Sequence, residues 1–487
     1  MINYFVFFLL SFPHHTADYF AMKVKGCQYR FYLSRASCVI LRFCLFLTVC
    51  FTQIRVPSIA QPRGVATSKR FLDSLQRETF HYFWDLGNTA NGLIPDRYPT
   101  PSFASIAATG FGLTAYVLGV ERGYVSRQEA ADRTLKTLRF FTYAPQSADE
   151  KNATGYHGFF YHFLDMKTGL RFKQVELSTI DTALLLAGML SCQTYFDKNT
   201  SAEKEIRMLV DRIYRRVDWQ WMQARKPLVS MGWHPESGFI KTDWKGYNEA
   251  MILYVLALAS PTYPIESEAW TEWTSTYDWK EFKEFSHVNF DPLFGHQYSH
   301  IWIDFRSIKD AYMRWRGIDY FENSRRATLA NRAYCIENPE GFRDYQTDIW
   351  GLTASDGPKD TLINGRQFFS YRARGASALQ VVDDGTIAPT AAGGSMPFTP
   401  EESIRALQLM KYRYGKKIYG PYGFKDAFNP SYPGQWFDTD YLGIDSGPIL
   451  LMTENYRTNL IWNLMMRNPI IRRGLLRAGF RGGWLRS

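Results

Sequence analysis

Cysteine is scarce where it would matter. Of six cysteines in 487 residues, Cys27, Cys38, Cys44 and Cys50 fall near the N-terminus, leaving Cys192 and Cys335 for everything after. Two distant thiols give neither a disulfide framework nor metal-type spacing, so the body must stand on its core. Cys192 closes an apolar run, where a thiol packs as a small hydrophobe. Also missing are a serine nucleophile elbow, a phosphate-binding Gly-rich loop, a dinucleotide fingerprint and a His-Glu-x-x-His zinc motif. Acid–base chemistry without a cofactor is the catalytic option that remains. Charged residues make up only 21% while aromatics reach 16%, which excludes a disordered or coiled-coil chain. No Gly/Ser linker, charge block or low-complexity tract interrupts 68–466, and no strict repeat of roughly 34 or 40 residues is visible. One closed domain is the simplest reading.

The formal charge of +10 is concentrated at the ends. Residues 1–70 carry 9 Lys/Arg against 1 acid, and 467–487 carry 6 against none, leaving 42 basic and 46 acidic residues between them. A mildly acidic body excludes a nucleic-acid footprint. The basic leader, 1–60, reads as a secretory signal with its true start at Met22. Met22-Lys23-Val24-Lys25, Arg30 and Arg35 form a positive region, 36–51 an apolar one, and Ser58-Ile59-Ala60 a cleavage site. Leu47-Thr48-Val49-Cys50 resembles a lipoprotein box. The expected location is periplasmic or secreted, with Cys50 a lipidation candidate. The basic segment 467–487 is expected to be a solvated tail.

Apolar and amphipathic helices alternate. Periodicity predicts amphipathic helices over 71–85, 126–141 and 202–219, and apolar ones over 105–118, 180–192 and 249–259. A mixed helix over 268–285 and further helices near 301–315, 322–336, 401–412 and 448–466 complete the series. Ser126 and Glu129 form a capping box. The extended pieces 158–163 and 170–172 are expected to pair across Lys167-Thr168-Gly169. Alternation of buried and half-buried helices fits two concentric rings with the apolar helices inside.

Acids recur at the starts of the apolar helices. Glu249 precedes Ala250 to Leu258, Asp181 opens the run to Leu190, and Asp445 opens Ile449 to Met452. An acid at the edge of a core is where burial can tune a pKa for proton transfer. The macrodipole favours an acid there with or without function, and Ser178-x-x-Asp181 also scores as a capping box. Trp436 to Asp445 is the densest acid–aromatic stretch, with Asp438 and Asp440 beside Tyr441. Glu401 and Glu402 belong to an ordinary helix start at Thr399-Pro400. His157, His162, His234, His296 and His300 lack metal spacing and are expected to contact ligand or satisfy loops, so no metal is assigned. Aromatic faces stack on the C–H faces of sugars while Asp, Asn, Arg and His bond hydroxyls. Paired carboxylates then suit glycoside hydrolysis.

Phe80-His81-Tyr82-Phe83-Trp84, Ala108-Thr109-Gly110-Phe111-Gly112-Leu113, Ser178 to Leu184, Gly246-Tyr247-Asn248-Glu249-Ala250 and Phe437-Asp438 to Gly447-Pro448 resemble the glycoamylase-like domain. Within it, the similarity is to glycoside hydrolase family 144, the bacterial endo-β-1,2-glucanases, over 68–466. The resemblance implies an all-α (α/α)6 barrel with a small β-hairpin and long loops around a pocket at one mouth. It implies cleavage of β-1,2-glucan to short sophoro-oligosaccharides with inversion, the base acting directly or through a substrate hydroxyl. Carried over, Glu249 is the general acid, and Asp181, Asp445 and, more weakly, Asp440 are candidates for the base. Trp233, His234, Tyr247, Asn248, His300, Arg372, Trp436 and Tyr441 would shape the subsites. The expected partner is a β-glucan, with no cofactor, nucleic acid or obligate protein partner. Action on another β-glucan, exo-action, and a barrel that binds glycan without cleaving it are the rival readings.

Overall fold

In a computed structural model of the chain, residues 19–24, 27–32 and 64–486 are described. The chain divides into two units, 1–67 and 68–487. In the first, strands Tyr19–Val24 and Cys27–Tyr32 pair antiparallel, Tyr19 opposite Tyr32. The apolar region 36–51 with Cys50, and the cleavage site 58–60, lie outside the described residues.

The second unit is an (α/α)6 barrel. Its outer helices are α1 (Gly64–Asp85), α3 (Arg127–Tyr143), α5 (Ser201–Arg216), α7 (Glu268–Thr274), α9 (Tyr320–Glu337) and α11 (Pro400–Tyr414). The inner helices are α2 (Ile106–Glu121), α4 (Thr179–Tyr195), α6 (Met251–Ala259), α8 (Tyr298–Trp302), α10 (Pro389–Gly394) and α12 (Gly443–Thr458). The sequence explains the sorting. Every residue of α6 is buried, and α2 is buried from Ile106 to Gly119, whereas α5 buries only a stripe led by Ile206, Leu209, Val210 and Ile213. A helix apolar all round is stable only with neighbours on every side.

Specific contacts close the inner ring. Ser299 Oγ in α8 accepts from Ile252 N in α6. Gln297, capping α8, donates to the Ala391 carbonyl of α10. Thr390 Oγ1 in α10 donates to the Asp445 carbonyl of α12. Phe111 in α2 packs against Gly447 of α12 and stacks on Trp302 of α8, centroids 5.3 Å apart. Between α2 and α4 the backbones themselves touch. A Cβ on Gly188 would lie 2.1 Å from the Gly110 carbonyl oxygen, and one on Gly110 would lie 2.4 Å from the Leu184 carbonyl oxygen. Backbone cannot swing aside as a side chain can. Gly188→Ala is therefore expected to destabilise the barrel by about 1–3 kcal/mol, read as a lowered urea midpoint at unchanged slope; an unaltered midpoint would refute the close approach.

Several predicted boundaries are corrected. The expected helix 268–285 stops at Thr274, and Trp279–Phe282 pairs with Phe285–Val288 as a hairpin. The expected helix 301–315 is two pieces, α8 and Ala311–Arg316. The run 448–466 begins earlier, carries Pro448 inside α12, and breaks at left-handed Asn459 before Leu460–Met466. The expected hairpin across Lys167-Thr168-Gly169 forms through Leu164 and Arg171. Phe159–Tyr161, however, pairs with Gly155–Tyr156 and Leu177–Ser178 instead. The capping box of Ser126 and Glu129 is present in both directions.

The basic C-terminal segment is not a solvated tail. Pro469–Arg477 is a helix that buries Ile471, Gly474 and Leu475 beside α6. Arg481–Gly482 pairs with Ile308–Lys309. Arg477 donates to the Ile265 carbonyl in the loop after α6, and Arg473 to the Ala259 carbonyl at the C-terminal end of α6. Helix C-termini leave such acceptors open, and cations suit them.

Candidate active site

The N-terminal ends of the inner helices converge on a cavity of about 390 Å³. Ser105, capping α2, Asp181 in the first turn of α4, Glu249 just before α6 and Asp445 in the first turn of α12 all line it. Phe103, Phe163, Phe294, Tyr298 and Tyr371 supply aromatic walls. Apolar walls with a few convergent polar groups are the ordinary make-up of a ligand site.

Glu249 lies in a turn and not, as expected, within the helix. Left-handed Gly246 (φ +78°) redirects the chain, and Asn248 Oδ1 accepts from Ala250 N at 3.0 Å. Ser299 Oγ donates to the Glu249 carbonyl at 2.6 Å, fixing the backbone beneath the carboxyl. Burial, with a smaller contribution from the charge of Asp181, pushes the Glu249 carboxyl up to about 7. Among the described residues no cation pairs with it. That is the environment that keeps a carboxylic acid protonated near neutral pH.

Asp181 is held differently. Its backbone N–H donates to Ser178 Oγ at 3.2 Å, and the Ser178 hydroxyl donates to its carboxylate. His162 Nε2 stands 3.5 Å from Asp181 Oδ1, while His162 Nδ1 meets Glu176 Oε1 at 2.8 Å. Burial opposes charge on this imidazole, but Asp181 and then Glu176 outweigh it and push His162 up to about 9. Burial raises Asp181 above the usual carboxylate range against the pull of His162. Glu176, His162 and Asp181 thus form a line that orients Asp181 toward the cavity.

Asp445 belongs to an acidic group. Burial pushes it up to about 7, with a hydrogen bond to Asp426 pulling the other way. Asp426 is raised well above its ordinary value by burial and then by Asp445 and Asp356. Burial lifts Asp438 to about 6. Arg97 stands among these acids, 2.7 Å from Asp356 Oδ2, 3.3 Å from Asp96 Oδ2 and 3.8 Å from Asp440 Oδ2.

The cavity thus brings together Glu249, Asp181 and Asp445 of the sequence-predicted residues. The others lie elsewhere. Asp440 sits behind the wall, where its Oδ1 accepts from Thr100 N. Asn248 caps the turn before α6. Tyr247 packs between Tyr277, His296 and Tyr320, and His300 is buried against Ser324 with its imidazole pushed down to about 3 by desolvation. Tyr441 faces Tyr422, its strand pairing with Arg97–Tyr98. Trp233 leans on Tyr156 and Trp221, and His234 on Arg171. Arg372 is exposed over Phe369, and Trp436 is half-buried in a strand against Asn429. Loop aromatics read from sequence do not reveal which side of the wall they face.

Conversely, Asp96, Arg97, Tyr298 and Tyr371 line the cavity without having been singled out for it, and His162, named only among histidines expected to contact ligand or satisfy loops, lines it too. For His162 the sequence also held a signal of position. It follows a short extended run ending at Tyr161, and strand pairing of that run beside Leu177–Ser178 is what carries it to Asp181.

The Glycoamylase family model matches residues 241–469, spanning Glu249 and Asp445. An endo-β-1,2-glucanase from Chitinophaga pinensis, solved with sophorotriose and glucose, is 31% identical; the match covers 86% of this chain and 99% of that one, with a TM-score of 0.75. This chain belongs to the glycoamylase-like family. The similarity places it in glycoside hydrolase family 144. A Bacteroides uniformis structure carrying the glucoamylase name is 35% identical over 86% of this chain and 98% of that one, TM-score 0.76. An exo β-1,2-glucooligosaccharide sophorohydrolase (non-reducing end) of Parabacteroides distasonis is 32% identical over 443 residues. That match takes in 84% of this chain but 58% of the relative, so the chain spans little more than half of that protein's length.

Proposed function

We propose that the protein is an endo-acting β-1,2-glucan hydrolase working by inversion, with Glu249 as general acid. The observation that carries this is Glu249 itself: a half-buried carboxyl lining an aromatic cavity, pushed up to about 7, with two further carboxyls, Asp181 and Asp445, lining the same cavity. The protonated Glu249 donates to the leaving glycosidic oxygen, and an ionised carboxylate opposite takes the proton of the attacking water. Two carboxylates compete for the base. Asp181 has an imidazolium beside it, which favours the ionised form. Asp445 stands at the start of α12, where the macrodipole favours a negative charge. Tyr298, whose hydroxyl is raised by burial and then by Asp445, Tyr371, Glu249 and Asp181, lines the same cavity. Its ring offers a face for the sugar at the scissile bond. The Parabacteroides relative supports a second reading, release of sophorose from the non-reducing end. The leader supports export to the periplasm or beyond.

Incubation with linear β-1,2-glucan beside laminarin, mixed-linkage β-glucan and starch tests the bond. A ladder of short oligosaccharides from the β-1,2-glucan alone is expected; sophorose alone from the first minutes would convert endo to exo, and cleavage of a different glucan would overturn the substrate. The pH profile of kcat/KM tests the roles. Because Glu249 must be protonated, activity is expected to fall as pH rises through about 7. If Asp445 is the base it must be ionised, so an acid limb near 7 follows and the bell is narrow. If Asp181 is the base, the acid limb tracks that carboxyl, and azide restores rate to Asp181→Gly and not to Asp445→Gly. An alkaline limb unmoved in a Glu249 variant would exclude Glu249 as the acid.

A further inference from the structure

We propose that Asp356, Asp426 and Asp438 form a binding site for a calcium-sized divalent cation behind the wall that carries Asp445. Each contributes one oxygen, and the three oxygens lie within 4.8 Å of one another. Calcium takes carboxylate oxygens at about 2.3–2.6 Å, so ligands on opposite sides of it are about 5 Å apart. Clustering alone would not define a site; the buried oxygens do. Asp426 is 2% exposed and Asp438 7% exposed. Asp438 Oδ2 is buried without a hydrogen-bond partner, and Asp426 Oδ1 has no N–H or hydroxyl donor, its one polar neighbour being the carboxyl of Asp445. A buried acceptor left without a donor carries the full desolvation cost of its group.

The second oxygen of each carboxylate is already fixed. Asp356 N donates to Asp426 Oδ2 at 2.7 Å, Asp440 N donates to Asp438 Oδ1 at 3.0 Å, and Arg97 Nη1 meets Asp356 Oδ2 at 2.7 Å. Such partners orient ligands and leave the other oxygen free to coordinate. Charge points the same way. Among the described residues Arg97 is the one cation within ion-pair distance of Asp96, Asp356, Asp426, Asp438, Asp440 or Asp445. One guanidinium cannot balance six carboxyls, so the rest must hold protons or a cation, and a divalent ion among three converging oxygens supplies the charge without the protons. Asp356 is the open side, its side chain 17% exposed, which gives the ion a path and lets water complete the six to eight ligands that calcium prefers. His162, Glu176 and Asp181 also converge, but there the imidazole already bonds Glu176 and faces Asp181, so no cation is needed.

Calorimetric titration of the EDTA-stripped full chain with calcium chloride tests this without reference to activity. One ion per chain is expected, bound more than about 10-fold more weakly by Asp426→Asn and by Asp438→Asn, each checked by circular dichroism for a native spectrum. Absence of binding to the wild-type chain, or binding unchanged in either folded variant, would overturn the site and leave shared protons to neutralise the group. Should both variants fail to fold, wild-type crystals soaked in calcium chloride decide. Density for an ion between the three carboxylates upholds the site, and its absence there removes it.

Discussion

Glu249→Gln is expected to lower kcat on β-1,2-glucan by about 10²–10⁴-fold, the usual worth of a positioned general acid, while glucan binding and the melting temperature stay close to wild type. Gln matches Glu in shape and loses only the transferable proton. The features that place the residue are backbone features: the turn at Gly246, the Asn248 cap and the Ser299 hydroxyl on the Glu249 carbonyl. None of them touches the carboxyl, so the substitution removes chemistry and spares the frame. A loss confined to KM would assign Glu249 to binding. A rate within twofold of wild type would move the acid elsewhere and return the glycan-binding barrel to consideration.

Arg374→Met is expected to cost about 3–5 kcal/mol of stability, because it strands a buried carboxylate. Arg374 and Asp384 are both fully buried, joined by Nε–Oδ1 at 2.7 Å and Nη2–Oδ2 at 2.9 Å. The same guanidinium donates to the carbonyls of Ser355 and Phe369 at 2.9 and 3.1 Å. It therefore ties together the two strands, Ala354–Asp356 and Tyr371–Ala373, that bring Ser355 and Tyr371 to the cavity. Calorimetry is expected to show a lower melting temperature, and kcat/KM measured well below it is expected to fall as well. Removing both charges in Arg374→Met/Asp384→Leu is expected to recover much of the stability without restoring activity, since the strands lose their tie. Equal stability of the single variant and wild type would show that water reaches Asp384.

The barrel was legible because its signal is long and redundant. Ten apolar residues in succession, as in 250–259, or a stretch with no charged residue, as in 105–118, cannot be placed anywhere but inside, and the acids at the starts of such helices then fall at one end. Glu249, Asp181 and Asp445 were accessible to the same reasoning, since helix position fixes where they lie. The rest of the site depends on pairing between distant short strands. Asp96 and Arg97 reach the cavity because 97–98 pairs with 441–442, and Tyr371 because its strand pairs with 354–356. Two-residue strands carry no periodicity, so side chains such as Trp436, Tyr441 and Arg372 could be named for their chemistry and still face the wrong way. His300 and Tyr247 failed for another reason: an imidazole and a phenol beside apolar helices are as much at home in the core as at a mouth.

The stacked rings of Phe111 and Trp302 join α2 to α8, and the touching backbones at Gly110 and Gly188 join α2 to α4. Contacts this close leave no slack for neighbouring staves to slide past one another. The spacing of the acids at their ends is then set by the protein and not by the bound chain. Adjustment to a different glucan falls to the loops at the rim, and changes of specificity are to be sought there.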